Sequence, residues 1–194
     1  MSEVEPFRQL EAWLEEAKAA QPFWADAMVL ATTGPGGAPA ARAVLLRGLD
    51  ERGLVFYTDG ESRKGAELAN DPRAALVFLW PSHERQARVE GAVEAVSGQE
   101  TDAYWAGRPR GSQLSAWASH QSQVVSGREE LEAGVAEVAE RFGGGPVPRP
   151  PRWVGFRLVP VTFEFWQGRP DRLHDRVRHR LDQGGVWRAE WLAP

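Results

Sequence analysis

The stretch RAVLLRGLDERGLVFYTDGESRKGAEL, residues 42 to 68, decides the fold class that this sequence predicts. Its apolar and β-branched residues predict strands at about 40 to 49 and 53 to 58, and the turn signal DERG separates them. A short helix is then expected to begin near Ser62 and to end before Pro72. Two strands joined by a tight turn indicate an antiparallel pair rather than the alternation of strands and long helices that binds mononucleotides.

Further strands are predicted on either side of this stretch. Turn signals such as GPGG and NDPR separate them, and DQGG joins the last two as a hairpin. Many short, mostly antiparallel strands with a few helices indicate an α+β fold organised around a β-barrel. The expected ranges are 27 to 33, 74 to 80, 85 to 96, 153 to 159, 161 to 167, 172 to 181 and 186 to 192.

The helices are predicted from apolar spacing and from capping signals. Apolar residues at helical spacing predict an amphipathic helix over 6 to 20. Ser97 with Glu100, and Ser126 with Glu129, have capping-box spacing, which predicts helices from these serines to about 106 and 142. We therefore expect one domain over 1 to 194, with barrel strands over 27 to 96, a helical segment over 97 to 142 and C-terminal strands over 153 to 194.

The composition excludes several classes of protein. The 194 residues contain no cysteine, which excludes disulfides and thiolate nucleophiles, and with four scattered histidines we expect no metal site. The net charge of -4 provides no global basic field for a nucleic acid. The N-terminus is acidic and amphipathic, unlike a signal or transit peptide, and no apolar run reaches membrane-spanning length. We expect a soluble, cytoplasmic protein that binds neither nucleic acids nor membranes.

The first unusual segment is TDGESRKGAELANDP, residues 58 to 72. The first turn of its predicted helix contains Arg63 and Lys64, where the helix dipole already disfavours cations by about 0.3 to 1 kcal/mol each. A phosphate that accepts backbone N–H groups at the helix start, flanked by both side chains, would turn this cost into a binding site. The alternative is that both side chains extend into solvent, and for an isolated basic pair that alternative is the ordinary one.

A second unusual segment is GRPRGSQLSAWASHQSQ, residues 107 to 123. Arginine, serine and glutamine side chains surround the single Trp117, which is a composition too polar for a core segment and too aromatic for a linker. It is typical of the lining of a binding site. A serine-capped loop between two helices explains the segment equally well.

The third unusual segment is WQGRPDRLHDR, residues 166 to 176. If 172 to 181 is a strand, its alternation places Arg172, His174, Arg176 and Arg178 on one face. Like charges placed this way require a counter-anion, nearby carboxylates or a wide solvated edge. A charged edge strand explains Arg178 but explains His174 and the neighbouring aromatic residues less well.

Several of these motifs together resemble the pyridoxine (pyridoxamine) 5'-phosphate oxidase family. They are RAVLLRGLDERGLVFYTDGESRKGAEL, ERQARVEGAVE, YWAGRPRGSQLSAWASHQS, FEFWQGRPDRLHDR and the terminal WLAP, in the family's order, over about 27 to 194. The resemblance implies a Greek-key, FMN-binding split β-barrel with flanking helices, and a homodimer with FMN at the subunit interface. It also implies oxidation of pyridoxine or pyridoxamine 5'-phosphate by O2 to pyridoxal 5'-phosphate and hydrogen peroxide, in vitamin B6 synthesis or salvage.

The resemblance also implies the residues of the site. In the implied phosphate sites, Arg42, Arg63 and Lys64 hold the FMN phosphate, while Tyr104, Arg108 and Ser112 hold the vitamin phosphate. Catalytic roles fall on Arg172 and His174, which hold the pyridine ring against the flavin. All FMN contacts implied are Arg42, Val44, Leu45, Arg47, Tyr57, Thr58, Arg63, Lys64, Gln86, Gln121, Ser122, Trp166 and Arg176. The substrate contacts implied are Arg47, Tyr104, Arg108, Ser112, Arg172 and His174.

Three features depart from the family's pattern. Arg47 stands where the family usually has lysine, and Val154 stands where a glycine is usual. The chain begins almost directly at its first helix, so we expect it to lack the longer N-terminal segment that covers the substrate in many relatives. In addition, Arg42 and Arg47 are an odd number of residues apart, so either a bulge separates them or they serve different parts of an interface site.

Other functions remain open at this point. The nearest alternative is a flavin oxidase of the phenazine-biosynthesis type, but RPRGSQLSAW favours the vitamin enzyme because it would supply the grip on the substrate phosphate. A non-catalytic split-barrel protein that binds flavin or pyridoxal phosphate is an alternative from another class, against which the presence of Arg172 and His174 argues. A heme or deazaflavin protein is disfavoured by the paired basic residues.

Overall fold

A computed structural model describes residues 5–21 and 23–194. Within them, nine β-strands form a single sheet and five α-helices lie around it. The helices are α1 (Glu5–Ala20), α2 (Arg63–Asn70), α3 (Gly98–Ala106), α4 (Arg110–Ala118) and α5 (Arg128–Phe142). The strands are β1 (Ala27–Thr33), β2 (Pro39–Leu45), β3 (Gly48–Asp50), β4 (Gly53–Asp59), β5 (Arg73–Trp80), β6 (Arg85–Ala95), β7 (Trp153–Gln167), β8 (Asp175–Leu181) and β9 (Trp187–Trp191).

The sheet is antiparallel and curls into a split barrel. Its order is β2-β1-β5-β6-β7-β4-β3, and β8 pairs with both β7 and β9. Strand β7 is fifteen residues long and connects the two halves, because its first part pairs with β4 and its second part pairs with β8 while β6 follows it throughout. The predicted fold class, an α+β split barrel with flanking helices, is confirmed.

The main core lies inside the barrel and is closed by α1. Leu10 and Leu14 of α1 are buried together with barrel residues such as Leu30, and the ring of Phe7 meets that of Phe163 edge to face at 5.0 Å. This arrangement explains the apolar spacing that predicted the helix. A second, smaller core packs α3, α4 and α5 against the start of β7 around Trp153.

The 161 to 167 strand predicted separately is the second half of β7. The register between β6 and β7 shifts between Glu90 and Gly91, so that Val161 is the extra residue of a β-bulge. A Cβ on Gly91 would lie 2.0 Å from the carbonyl oxygen of Val159. The glycine therefore permits a backbone approach that bends the long strand and produces the apparent interruption.

The strand predicted at 40 to 49 is two strands, β2 and β3. The chain leaves the ladder at Leu46 and Arg47, whose backbone N–H groups donate to the carbonyls of Asp26 at 2.9 Å and Val55 at 2.7 Å. This irregular link explains the odd spacing of Arg42 and Arg47, because Arg42 lies on β2 and Arg47 lies between strands. Simple alternation does not relate their two side chains.

The prediction of a strand over 172 to 181 is wrong at its start. Residues 170 to 172 form a 3-10 turn in which Asp171 and Arg172 have positive φ angles of 56° and 61°, and β8 begins at Asp175. A single cationic face of four residues therefore does not form. Arg176 and Arg178 do lie on the strand, where carboxylates of neighbouring strands compensate their charges.

One helix prediction near the middle of the chain also needs correction at its start. Ser62 and Ser97 are N-caps as expected, but α5 starts after Gly127, and Ser126 bonds to the side chain of Glu130 instead of forming a capping box with Glu129. The segment over 107 to 123 contains a helix, α4, rather than only a loop.

Candidate active site

The start of α2 gathers the first predicted cationic side chains. Ser62 caps the helix by accepting the backbone N–H of Gly65. The backbone N–H of Arg63, the first residue of the helix, donates to the hydroxyl of Ser122 at 3.1 Å. A Cβ on Gly65 would lie 2.1 Å from the carbonyl oxygen of Gly60, so only glycine allows this turn to approach the helix. The 119 to 122 segment is thereby held beside the positive end of the helix dipole.

A buried carboxylate, that of Glu67, connects two of the arginines. Its oxygens accept from Arg42 Nη2 at 2.7 Å, from Arg63 Nε at 2.8 Å and from the Thr32 hydroxyl at 2.6 Å. The Thr32 hydroxyl and the two guanidinium groups lower the pKa of Glu67 to about 2, against the opposing effect of its burial. Glu67 is consequently a permanent negative charge beneath the cationic cluster.

Lys64 has a different set of partners from the two arginines. Its Nζ donates to the Thr58 hydroxyl at 3.0 Å and to the Gln121 side-chain oxygen at 2.8 Å. Burial, and then the positive charge of Arg42, lower the pKa of Lys64. The ammonium group therefore lies in an environment that favours the approach of an anion.

A cavity of about 230 Å³ opens next to this cluster. Most of the residues predicted to contact FMN from the first half of the chain line it, together with three predicted substrate residues, of which Arg47 is predicted for both. Arg47 reaches this cavity from the irregular link after β2 and forms an ion pair with Asp26 at 2.7 Å. The lining residues are Ala43, Val44, Leu45, Arg47, Tyr57, Thr58, Lys64, Tyr104, Arg108 and Gln121.

A wall of stacked aromatic rings supports Arg108 at this cavity. Tyr57 stacks on Tyr104 with 4.1 Å between ring centroids, and on Trp153 with 5.1 Å. The Arg108 guanidinium lies 4.7 Å from the centroid of Trp153. Burial, opposed by Tyr104 and reinforced by the charge of Arg47, lowers the pKa of Arg108. In the part of the chain that the structure describes, its Nε is buried without a hydrogen-bond partner and no carboxylate pairs with it.

A neighbouring cavity of about 400 Å³ contains Ser112, the remaining member of the predicted substrate-phosphate group. Tyr57, Arg108 and Gln121 border both cavities. Arg108 Nη2 donates to the Ser112 carbonyl at 3.1 Å, across the break between α3 and α4. Tyr104 at the end of α3, Arg108 in the break and Ser112 in α4 are thus brought together.

The sequence interpretation missed the ion pair that fixes this side of the site. Arg152 Nε donates to Asp59 at 2.9 Å, and both side chains are almost fully buried. Arg152 Nη2 also donates to the carbonyls of Ala116 and Trp117 at the end of α4. The pair therefore joins β4 to the segment that carries Gln121 and Ser122, but the two residues are 93 positions apart and no local pattern indicates them.

A second group of predicted site residues lies on β6, β7 and β8. Gln86, Trp166 and Arg176 are direct neighbours in register across these three strands. The side chains of Arg176 and Arg88 both pair with the buried carboxylate of Glu164. Arg176 donates to it twice, at 2.8 and 2.9 Å. Arg176 also donates to the carbonyl of Ala193 at 3.0 Å, which fixes the C-terminal residues against the strand.

His174 and Arg172 extend this second group through the turn before β8. The His174 ring lies 4.6 Å from that of Trp166, and its Nδ1 accepts the backbone N–H of Arg169 at 3.1 Å. A neutral imidazole held this way carries its proton on Nε2, the atom left for a ligand. Arg172 is exposed and His174 is half-buried beside the indole.

The predicted site residues therefore form two separate groups within one chain. The first group, around Glu67 and Arg108, includes Arg42, Val44, Leu45, Arg47, Tyr57, Thr58, Arg63, Lys64, Tyr104, Arg108, Ser112, Gln121 and Ser122. The second includes Gln86, Trp166, Arg172, His174 and Arg176. Among residues 5–21 and 23–194, no hydrogen bond, ion pair or ring contact joins the first group to the second, and neither of the two cavities described above is lined by a residue of the second group.

Comparison with known proteins identifies the family. Residues 14–142 match the family model for pyridoxamine 5'-phosphate oxidase, and residues 153–194 match the C-terminal dimerisation region of pyridoxine 5'-phosphate oxidase. The chain belongs to the pyridoxamine 5'-phosphate oxidase family. Its membership confirms the resemblance seen in the motifs, and it makes the chain an oxidoreductase, as the sequence predicted.

Members of the oxidase family are similar to this chain over nearly its whole length. The pyridoxine/pyridoxamine 5'-phosphate oxidase of Cupriavidus necator is 54% identical over 190 residues, which are 98% of this chain and 89% of that protein. The enzyme of the same name from Azorhizobium caulinodans is 53% identical over 191 residues, 98% of this chain and 90% of that protein.

Solved structures of the family have the same fold. PhzG from Burkholderia lata, in complex with tetrahydrophenazine-1-carboxylic acid, superimposes with a TM-score of 0.91 at 35% identity and covers 97% of this chain and 92% of that one. A pyridoxamine 5'-phosphate oxidase-related, FMN binding protein from Nostoc punctiforme has a TM-score of 0.80 at 21% identity, over 97% of this chain and 98% of that one.

One departure from the oxidase pattern has a local structural explanation. A Cβ on Gly60 would lie 3.1 Å from Val154 Cγ2, so Gly60 leaves the space that the valine side chain fills. The bulk added at Val154 is therefore accommodated between β7 and the turn that leads into α2.

None of the helices described for this oxidase-family chain is long and apolar enough to cross a membrane.

Proposed function

We propose that the chain is a single-domain FMN-dependent oxidase of phosphorylated B6 vitamers. It oxidises pyridoxine 5'-phosphate and pyridoxamine 5'-phosphate to pyridoxal 5'-phosphate, with O2 reduced to hydrogen peroxide. The observation that supports this substrate class most strongly is Arg108, a half-buried guanidinium that has a buried, unpartnered Nε and no carboxylate partner within the described residues. A buried charge without a partner is costly, and a phosphate oxygen would compensate it.

The residues of the first group fit FMN. Arg63, Lys64 and Arg42 surround the start of α2, where the positive end of the helix dipole adds to their charge for the phosphate. Thr58 and the side chains of Gln121 and Ser122 provide neutral hydrogen-bonding groups beside them, which suit a polyhydroxylated ribityl chain. This donor set is chemically matched to a phosphorylated flavin.

The substrate would bind with its phosphate at Arg108 and its ring toward the flavin. Tyr104 and Ser112 flank Arg108, and Arg47 adds a second positive charge at the same cavity. Arg47 is tethered by Asp26 through Nη1, which holds its guanidinium at the cavity. Arginine at this position can therefore replace lysine as a phosphate partner, with a fixed fork in place of a flexible point charge.

The chemistry requires orientation more than acid–base groups from the protein. Bound FMN supplies the hydride acceptor and, by its reaction with O2, the route to hydrogen peroxide. Arg172 and His174 would orient the pyridine ring, and the Nε2–H of His174 would donate to a ring substituent. The alcohol of pyridoxine phosphate loses two electrons and two protons to become the aldehyde, whereas the imine from pyridoxamine phosphate also consumes water and releases ammonia.

The separation of the two groups supports a homodimer with FMN at the subunit interface. Trp166, Arg172 and His174 lie in the part of the chain that matches a dimerisation region, and they make no contact with the Arg108 cavity of their own chain in the described residues. A two-fold dimer would bring the second group of one protomer to the first group of its partner. Each dimer would then contain two composite sites.

A turnover assay tests the proposed function. The purified protein is saturated with FMN and mixed aerobically with pyridoxine 5'-phosphate, pyridoxamine 5'-phosphate or unphosphorylated pyridoxine, while pyridoxal 5'-phosphate and hydrogen peroxide are measured. We expect both phosphorylated vitamers to be oxidised and pyridoxine to react only at much higher concentration. Flavin binding without any turnover would contradict the proposal and indicate a flavin or pyridoxal phosphate carrier.

A flavin oxidase of the phenazine type is the second candidate, because PhzG superimposes closely on this chain. The ligand of that structure is a carboxylic acid, and Arg108 could pair with a carboxylate as well as with a phosphate. Higher identity to the B6 oxidases favours the vitamin substrates. Preferential oxidation of tetrahydrophenazine-1-carboxylic acid in the same assay would reverse this order.

A further inference from the structure

We propose that Glu67 positions Arg42 and Arg63 for the phosphate of FMN. This inference rests on the proposed function, because it concerns the same cofactor site. Glu67 itself would not touch the cofactor. It is a positioning residue that acts through the two arginines.

The contacts show how Glu67 orients each guanidinium. Arg63 uses Nε on Glu67, and its two Nη groups have no protein acceptor among the described residues. Arg42 uses Nη2 on Glu67 and Nη1 on Thr32 and the Leu30 carbonyl. Arg63 is therefore the exposed donor of the pair, and Arg42 is the more buried support.

Burial makes this arrangement rigid. The Glu67 side chain is 2% exposed, whereas that of Arg63 is 63% exposed and that of Arg42 is 20% exposed. An exposed arginine normally loses considerable side-chain entropy when it binds a ligand. An ion pair with a buried carboxylate four residues later on the same helix removes part of that cost before the ligand arrives.

The charges also balance for a phosphate monoester. Arg42, Arg63 and Lys64 contribute three positive charges and Glu67 contributes one negative charge, which leaves two positive charges at the start of α2. A phosphate monoester carries about 1.5 to 2 negative charges at neutral pH. Glu67 thus allows three cations to be packed together without an excess of positive charge when FMN is bound.

Two opposite effects of removing the Glu67 charge can be separated by experiment. If Glu67 orients the arginines, its loss weakens the binding of FMN. If it merely competes with the phosphate for the same arginines, its loss strengthens the binding. Riboflavin, which lacks the phosphate, reports any general damage to the flavin site.

The test measures the dissociation constants of FMN and riboflavin for the apoprotein by flavin fluorescence, with Glu67→Gln as the variant. We expect the Kd of FMN to rise about tenfold, as for the loss of a charge-assisted hydrogen bond, while the Kd of riboflavin changes less than about twofold. Glu61→Gln is the matched control: it removes an exposed charge of the same segment that forms no ion pair within the described residues, and it should leave both constants unchanged.

Equal weakening of FMN and riboflavin would overturn the inference, because Glu67 would then only support the fold. Unchanged or tighter FMN binding would overturn it as well. Should Glu67→Gln fail to fold, Thr32→Val decides, since it removes a partner of both Glu67 and Arg42 and is expected to weaken FMN selectively. Failure of the proposed function would look different: the wild-type protein itself would bind FMN no more tightly than riboflavin.

Discussion

The guanidinium of Arg108 lies over the indole of Trp153, 4.7 Å from the ring centroid. An aromatic ring attracts the cation and fixes its plane, but it does not neutralise the charge as a carboxylate would. Two arginines line the cavity. Arg47 forms an ion pair with Asp26, whereas Arg108 has no carboxylate partner among the described residues. The site therefore presents an oriented and uncompensated positive charge at the place where a substrate anion is proposed to bind.

Replacing Arg108 by alanine is expected to raise the KM for pyridoxine 5'-phosphate by about 10- to 100-fold, because hydrogen bonds to a charged phosphate contribute about 1.5 to 3 kcal/mol. The effect on kcat should be smaller. Steady-state kinetics of the reconstituted enzyme measure both. Arg110→Ala is the control, because Arg110 donates to the carbonyls of Gly143 and Gly145, outside both cavities. An unchanged KM in Arg108→Ala would contradict the assigned role.

Replacing Arg63 and Lys64 together by alanine is expected to increase the Kd of FMN by about 100-fold, because two charge-assisted contacts to the phosphate are lost. Titration of the apoprotein with FMN measures this change. The control is Arg128→Ala at the start of α5, which removes an exposed arginine that pairs with Glu132 on its own helix. A flavin affinity equal to that of the wild type would exclude the phosphate site at α2.

Substituting Arg172 or His174 by alanine is expected to leave a folded, flavin-binding protein whose kcat falls at least about tenfold, since substrate orientation is lost. Absorbance of bound flavin and the rate of pyridoxal 5'-phosphate formation report the two properties separately. Arg178→Ala serves as the control, because this arginine is on β8 but pairs with Glu190. Full activity of both substituted proteins would refute their assignment to the reacting centre.

His179 is expected to make stability depend on pH. Burial lowers the pKa of His179 below its ordinary value of 6.5, with an opposing effect of Glu5, and both ring nitrogens are buried without partners in the described residues. Below pH 6.5 the unfolded chain therefore binds a proton that the folded chain resists, so stability falls as the pH decreases toward the folded pKa.

Chemical denaturation between pH 5 and 8 tests this prediction, since the variant His179→Leu should lose that part of the pH dependence. His120→Leu, which changes an exposed histidine, should retain it. A wild-type free energy of unfolding that does not fall as the pH is lowered from 6.5 to 5 would contradict the interpretation.

Most of the fold was predictable because its signals are local. Ser62 and Ser97 cap helices where the sequence indicated, and the turn signals bound β4, β5 and β6 to within about two residues. The errors arose where backbone geometry depends on distant contacts. The positive φ angles of Asp171 and Arg172 interrupt an apparently regular strand; aspartate tolerates this region, but an arginine gives no sign of it in the sequence.

The candidate site was predictable in its exposed cations but not in the groups that hold them. Glu67 could have been found, because it follows Arg63 by four residues on a predicted helix. Asp59 and Arg152, or Glu164 with Arg176, pair only through the fold, so their roles required the structure. The division of the site into two groups is likewise a property of the curled sheet.

The composite site is tested most directly by mixing two inactive variants. One carries alanine at Arg63 and Lys64, the other carries His174→Ala, and the two are unfolded together, refolded and assayed at an FMN concentration that saturates the wild-type site but not the site that lacks Arg63 and Lys64. If each site combines residues of both protomers, random pairing restores one intact site per mixed dimer, or about one quarter of the wild-type oxidation of pyridoxine 5'-phosphate. Activity no higher than that of the separate variants would contradict a site shared between two chains.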